Sequence, residues 1–113
     1  MLEKNEKEKY RHYKGGIYYK LAKAVIVDDY RGVNVGFKLE GEATFEATCE
    51  TMLILSINGK LTVCFKDRES TADEYMEDVI IYQSEKDDRI WVRFTKVFYE
   101  LDEEGNQRFT KID

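Results

Sequence analysis

A chain of 113 residues has room for one domain, and one of this size can bury a core without disulfide or metal staples. Aromatic residues make up 13% and charged residues 36%, with eight Tyr, six Phe, one Trp and no Pro; aromatics on this scale suit pleated surfaces better than helices. The net charge of −5, and the absence of any apolar run of membrane-spanning length, argue against a nucleic-acid coat and against a membrane protein.

The charged start, Met1 to Lys9, has no secretory h-region and reads as a flexible tail or a short helical turn, with the domain running from residue 10 to 113. Residues 17–27 follow Gly15-Gly16 and read as a strand, although their Ala and Lys also suit a helix. Residues 33–39 and 43–49 both alternate apolar with polar, which predicts a hairpin turning at Glu40-Gly41-Glu42. Residues 51–57 and 60–66 flank Asn58-Gly59, the pair that a type I′ hairpin turn selects because both residues need positive φ. One face of this hairpin carries Met52, Ile54, Leu61, Val63 and Phe65. The other carries Leu53, Leu55 and Ile57 and is too apolar to stay wet.

The acidic stretch 67–78 is either a loop or a short helix capped by Ser70 or Thr71. Residues 79–83 and 89–93 predict a further hairpin, with Arg89, Trp91 and Arg93 on one face. Residues 97–101 and 107–112 read as a last strand pair. Cys49 and Cys64, in apolar strand-like runs, read as reduced and structural, with a cross-strand disulfide as the alternative. These features together suggest a cytosolic protein.

Chemistry-bearing motifs are sparse. There is no Gly-rich phosphate loop. His12 is the only histidine, and Cys49 and Cys64 are remote from it in sequence, so neither a metal site nor a nucleophile–base pair is expected, and no cofactor is expected. Its plainest role is to donate a hydrogen bond to the backbone beside Gly15-Gly16. Glu46 and Glu50, on the polar parity of their segment, read as solvated. Charge is more telling. Residues 10–27 carry Arg11, Lys14, Lys20 and Lys23 and no acid, and residues 89–99 carry Arg89, Arg93 and Lys96 and no acid. If these stretches meet, Tyr10, Arg11, His12, Tyr13, Lys14, Arg89, Trp91 and Arg93 form a basic aromatic face. Arg forks bind carboxylate or phosphate, and Tyr and Trp offer planes for a ring to stack on. The competing structural role makes Trp91 a core anchor opposite Ile81, with the two arginines paired to acids.

Several of these residues also resemble a known pattern. Tyr10-Arg-His-Tyr-Lys-Gly15, Ile80-Ile-Tyr-Gln83, Ile90-Trp-Val-Arg93, Phe98, Gly105 and Arg108-Phe109 are similar to the motifs of a family of short bacterial proteins, domain of unknown function 1653. The match covers about half of the chain. The proline that follows the Trp-Val-Arg element in the family is Phe94 here, and residues 28–78 are an insertion. The resemblance implies a small SH3-like β-barrel, enlarged by an inserted antiparallel β-meander, and no known activity; the 67–78 stretch leaves room for one short helix.

The expectation is therefore a mainly β, non-catalytic binding module for an anionic small molecule or nucleotide-like ligand. The alternative is a protein-interaction or homo-oligomeric assembly domain using the apolar 51–66 face, and a hydrolase ranks last because no base–nucleophile set is visible.

Overall fold

A computed structural model describes residues 2–28, 36–75, 77–101 and 103–112. Among them are eight strands: β1 Lys9–His12, β2 Ile17–Ile26, β3 Phe37–Phe45, β4 Thr51–Ile57, β5 Lys60–Phe65, β6 Asp78–Ser84, β7 Ile90–Phe94 and β8 Phe109–Lys111. Two short helices, α1 Ala72–Tyr75 and α2 Thr95–Phe98, complete the set. The chain is mainly β, built on a closed six-stranded barrel. The barrel runs β5-β4-β3-β7-β6-β2 and closes through a parallel contact of Val25 and Ile26 with Thr62 and Val63. The antiparallel meander β3-β4-β5 is thus half of the barrel wall. β1 and β8 extend the sheet beyond β2.

The Asn58-Gly59 hairpin forms as its turn chemistry requires, with φ of 52° and 80° and Ile57 opposite Lys60. Its inward face, Met52, Ile54, Val63 and Phe65, joins Ile26, Ala43, Phe45, Val79, Ile81 and Val92 in the barrel core. The opposite face is closed as well. Leu53, Leu55 and Cys64 are buried there with Val27 and Ile57 against them, and Leu55 is 0% exposed. The face that is too apolar to stay wet is therefore buried within the chain itself.

The hairpin expected at Glu40-Gly41-Glu42 does not form. β3 runs straight through, with a bulge where Leu39 pairs Leu55 and Gly41 pairs Ile54. A one-residue slip moves every later side chain to the other face. Leu39 stays 57% exposed, whereas Ala43 and Phe45, of the same parity, enter the core. The reversal comes later, at residues 46–48. Val33 to Val35 of the expected strand lie outside the described residues.

A second core lies outside the barrel. Val79 to Tyr82 are all buried because β6 is covered on both faces. Its outer side chains, Ile80 and Tyr82, pack with Tyr10, Phe98 and Phe109, and Phe98 stacks on Phe109 at 4.3 Å. The strand expected over 97–101 is displaced by α2, Thr95–Phe98, which delivers Phe98; after it, Leu101 forms an isolated bridge with Gln107 and the Arg108 amide donates to the Glu100 carbonyl. β8 pairs with β1, setting His12 opposite Phe109. The segment before residue 10 contributes too: Leu2 rests on the barrel core, Lys4 pairs with Asp88, Glu6–Glu8 is a 3-10 turn, and Lys9 opens β1.

α1 settles the choice between loop and helix for residues 72–75. Thr71 Oγ1 accepts from the Glu74 amide at 3.3 Å, and Glu74 Oε2 accepts from the Thr71 amide at 2.9 Å, a reciprocal capping box. Met76 lies outside the described residues. Arg68 lies over the Phe65 ring and donates to both Glu50 and Glu74, so Glu50 is a bridging acceptor and not simply solvated. The Arg68 hydrogen bond holds Glu74 down from 4.5 to about 2. A carboxylate lowered in the folded state adds stability above its ordinary pKa, and this is lost as pH falls from there through about 2. Glu74→Gln should therefore flatten the urea-denaturation profile between pH 5 and 2. It should cost about 1 kcal/mol near neutrality and nothing at the acid end, the solvent-screened share of the full linkage.

Candidate functional site

Residues 10–14 and 89–93 do meet. They share a cavity of about 330 Å³ on the outer wall of the barrel, lined by His12, Tyr13, Lys14, Tyr18, Glu46, Cys49, Tyr82, Trp91, Arg93, Arg108 and Phe109. Strand alternation selects among the expected residues. On β1, Tyr10 turns into the second core at 7% exposure, Arg11 points to solvent, and His12 returns toward the cavity. On β7, Trp91 lies opposite Tyr82 and not Ile81, and Arg93 lies opposite Ile80, so both face outward from the barrel. Arg89 stays outside the cavity, with its guanidinium 4.3 Å over the Trp91 ring and donating to Thr44 Oγ1. Arg11 and Tyr10 are thus not part of the site, and Arg89 only backs its Trp. Of the expected basic residues only Lys14 and Arg93 line this cavity, and Lys20 and Lys96 are engaged by Glu8, Tyr99 and Glu77.

The turn after β1 sets His12 and Lys14. His12 N–H donates to the Gly16 carbonyl at 2.7 Å, and Gly15 N–H to the His12 carbonyl at 2.8 Å, with Gly15 at φ 105°. A side chain at Gly16 would collide with the Tyr18 ring at 2.9 Å. Within this turn His12 Nδ1 accepts from the Lys14 amide at 3.2 Å, the reverse of the donation expected from sequence. Desolvation, followed by the charges of Arg93, Lys14 and Arg108, pulls its pKa below the usual imidazole value. The neutral ring therefore carries its proton on Nε2 and acts as a donor. Its lone pair is spent on the backbone, so it is not placed to serve as a base. The same shift means that stability declines as pH falls below the ordinary imidazole range.

Arg93 is the centre of the site. It is 8% exposed, with its guanidinium carbon 4.9 Å from the Phe109 ring centroid. Nη2 forms an ion pair with Glu46 Oε1 at 3.1 Å, while Nε and Nη1 have no acceptor, and Arg108 Nε is likewise buried without one. Each unmet buried donor costs about 1–3 kcal/mol. Tyr82 forms part of the floor, and burial pushes its hydroxyl pKa up.

Sequence reasoning missed Glu46, Cys49, Tyr18, Tyr82, Arg108 and Phe109. Glu46 reaches Arg93 because β3 pairs with β7 in parallel, Thr44 opposite Trp91 and Phe45 opposite Val92, which no local pattern announces. Cys49 is not a buried strand residue. It follows the reversal at residues 46–48, exposed and at φ 62°, while Cys64 is the buried thiol; neither is in a disulfide. Arg108 and Phe109 were visible as a motif but carried no sign of their place. Among the described residues no three His, Cys, Asp or Glu side chains cluster as metal ligands, and no helix is long and apolar enough to cross a membrane.

Compared with protein-family models, with curated proteins and with solved structures, the chain finds no match.

Proposed function

We propose that this protein is a non-catalytic binding module that takes a small anionic, ring-bearing ligand, of nucleotide or aryl-carboxylate type, in the cavity around Arg93. The observation that carries this reading is a buried guanidinium with two N–H groups lacking acceptors, flanked by Lys14 and Arg108 and walled by Trp91, Tyr13 and His12. A carboxylate or phosphate supplies the missing acceptors, and the rings supply a stacking surface. The residues that carry the resemblance to the domain of unknown function 1653 family favour the same location: His12, Tyr13, Lys14, Tyr82, Trp91, Arg93, Arg108 and Phe109 all line it. The donor state of His12 favours binding over catalysis. Two cysteines outside any disulfide suit a reducing compartment such as the cytosol.

Thermal melting against orthophosphate, aryl phosphates, aryl carboxylates and nucleoside monophosphates tests the reading. Ligands with both an anion and a ring should raise Tm by several degrees, since saturation at 100 Kd contributes about 2.7 kcal/mol. Indifference to the whole panel overturns it. Glu46 competes with the incoming anion for Arg93, so Glu46→Gln should tighten binding roughly 2- to 5-fold, the size of a partly exposed ion pair. Isothermal titration reads that change.

A further inference from the structure

Three non-glycine residues adopt positive φ among the described residues: Asn58 and Asp88, both of types that tolerate it, and Cys49, which is not. Strained backbone positions concentrate at functional sites. Cys49 is fixed at the cavity by its amide bonding the Phe45 carbonyl at 2.7 Å and by Phe45 N–H bonding the Glu50 carbonyl at 2.8 Å. A thiol used for packing is buried, as Cys64 is at 0% exposure; Cys49 is exposed. The independent sign of a ligand at the same place is Arg93, nine-tenths buried with two donors unmet, with Lys14 and Arg108 beside it.

We infer that Cys49 is a reversible thiol-modification site selective for small carboxylate-bearing disulfides, which dock their carboxylates on Arg93, Arg108 and Lys14. This rests on the anion-pocket reading above. In the step, the Cys49 thiolate attacks the nearer sulfur of the disulfide, a new S–S bond forms and the old one breaks. The departing half leaves as a thiolate with the electron pair and takes a proton from solvent. Cys49 is oxidised to a mixed disulfide, the released half is reduced, and excess thiol reverses the exchange. The attached group fills the cavity and shuts out the diffusible ligand, which makes the module's occupancy redox-dependent.

The test compares the stopped-flow reaction rates of the dianionic probe dithiobis(nitrobenzoate) and the neutral probe dithiodipyridine with the whole protein. Relative to a free small thiol, the wild type should prefer the anionic probe by about 10-fold or more, the scale of electrostatic focusing in a charged cleft. The preference should shrink in Arg93→Met, in Lys14→Ala, which alters an exposed turn position, and in wild type at high salt. The fast phase should vanish in Cys49→Ser and persist in Cys64→Ser. The mixed disulfide should also abolish the melting shift given by an aryl phosphate. Equal preference in wild type and both cavity variants, or a fast phase that survives Cys49→Ser, overturns the inference. If aryl phosphates still bind in that case, the pocket reading stands and only the thiol chemistry falls. If they do not bind either, both fall together.

Discussion

Arg93→Met is expected to erase the anion-dependent rise in Tm while leaving a folded barrel. A charge-assisted hydrogen bond contributes about 1.5–3 kcal/mol, so losing one weakens an aryl phosphate or carboxylate by roughly 10- to 100-fold. The fold loses less than the ligand does. The pair with Glu46 is partly exposed and worth about 0–1 kcal/mol. The cation–π contact with Phe109 adds about 0.5–2 kcal/mol. Against these stands the removal of two buried, unmet N–H groups at about 1–3 kcal/mol each. The variant should therefore melt no lower than the unliganded wild type. Calorimetry and melting curves with and without ligand separate the two effects. A variant that keeps its ligand response would remove Arg93 from the site.

Leu55→Glu should unfold the domain, with a loss above about 4 kcal/mol, because it places a carboxyl at a fully buried position. Its cross-strand neighbour gives the control. Leu39 pairs directly with Leu55 yet is 57% exposed, and Leu39→Glu should shift stability by only about 0.5 kcal/mol. Circular dichroism and light scattering distinguish loss of fold from loss of association. A folded Leu55→Glu protein with altered mass would return the 51–66 face to the role of an interaction surface.

Where structure is written locally, the sequence is a good guide. Asn58-Gly59 fixes its hairpin through two positive φ values, and the 79–93 hairpin follows from parity with Ile81 opposite Val92. Where it depends on distant partners, the guide fails. Gly41 looks like a turn residue but marks a bulge that flips the alternation, so Leu39 and Phe45 part company. Residues 97–101 look like a strand, but Phe98 is drawn into a helix to cap the ring cluster over β6. The site divides in the same way. His12, Trp91 and Arg93 announce themselves by residue type, and alternation along β1 removes Arg11. Glu46, Cys49 and Arg108 belong to it only because β3 lies beside β7 and the Arg108 carbonyl accepts from the Tyr13 amide.

The pairing of β1 with β8 joins residues 10–12 to 109–111, and β8 is only three residues long. Closing so wide a loop for so few backbone bonds carries a high entropic cost and little local return. This ribbon should assemble last and let go first, giving its amides the fastest deuterium uptake among the strands. It also holds His12 and Phe109 against the cavity, so any occupant that grips both Arg93 and His12 acts as a clasp across the molecule's least secure seam.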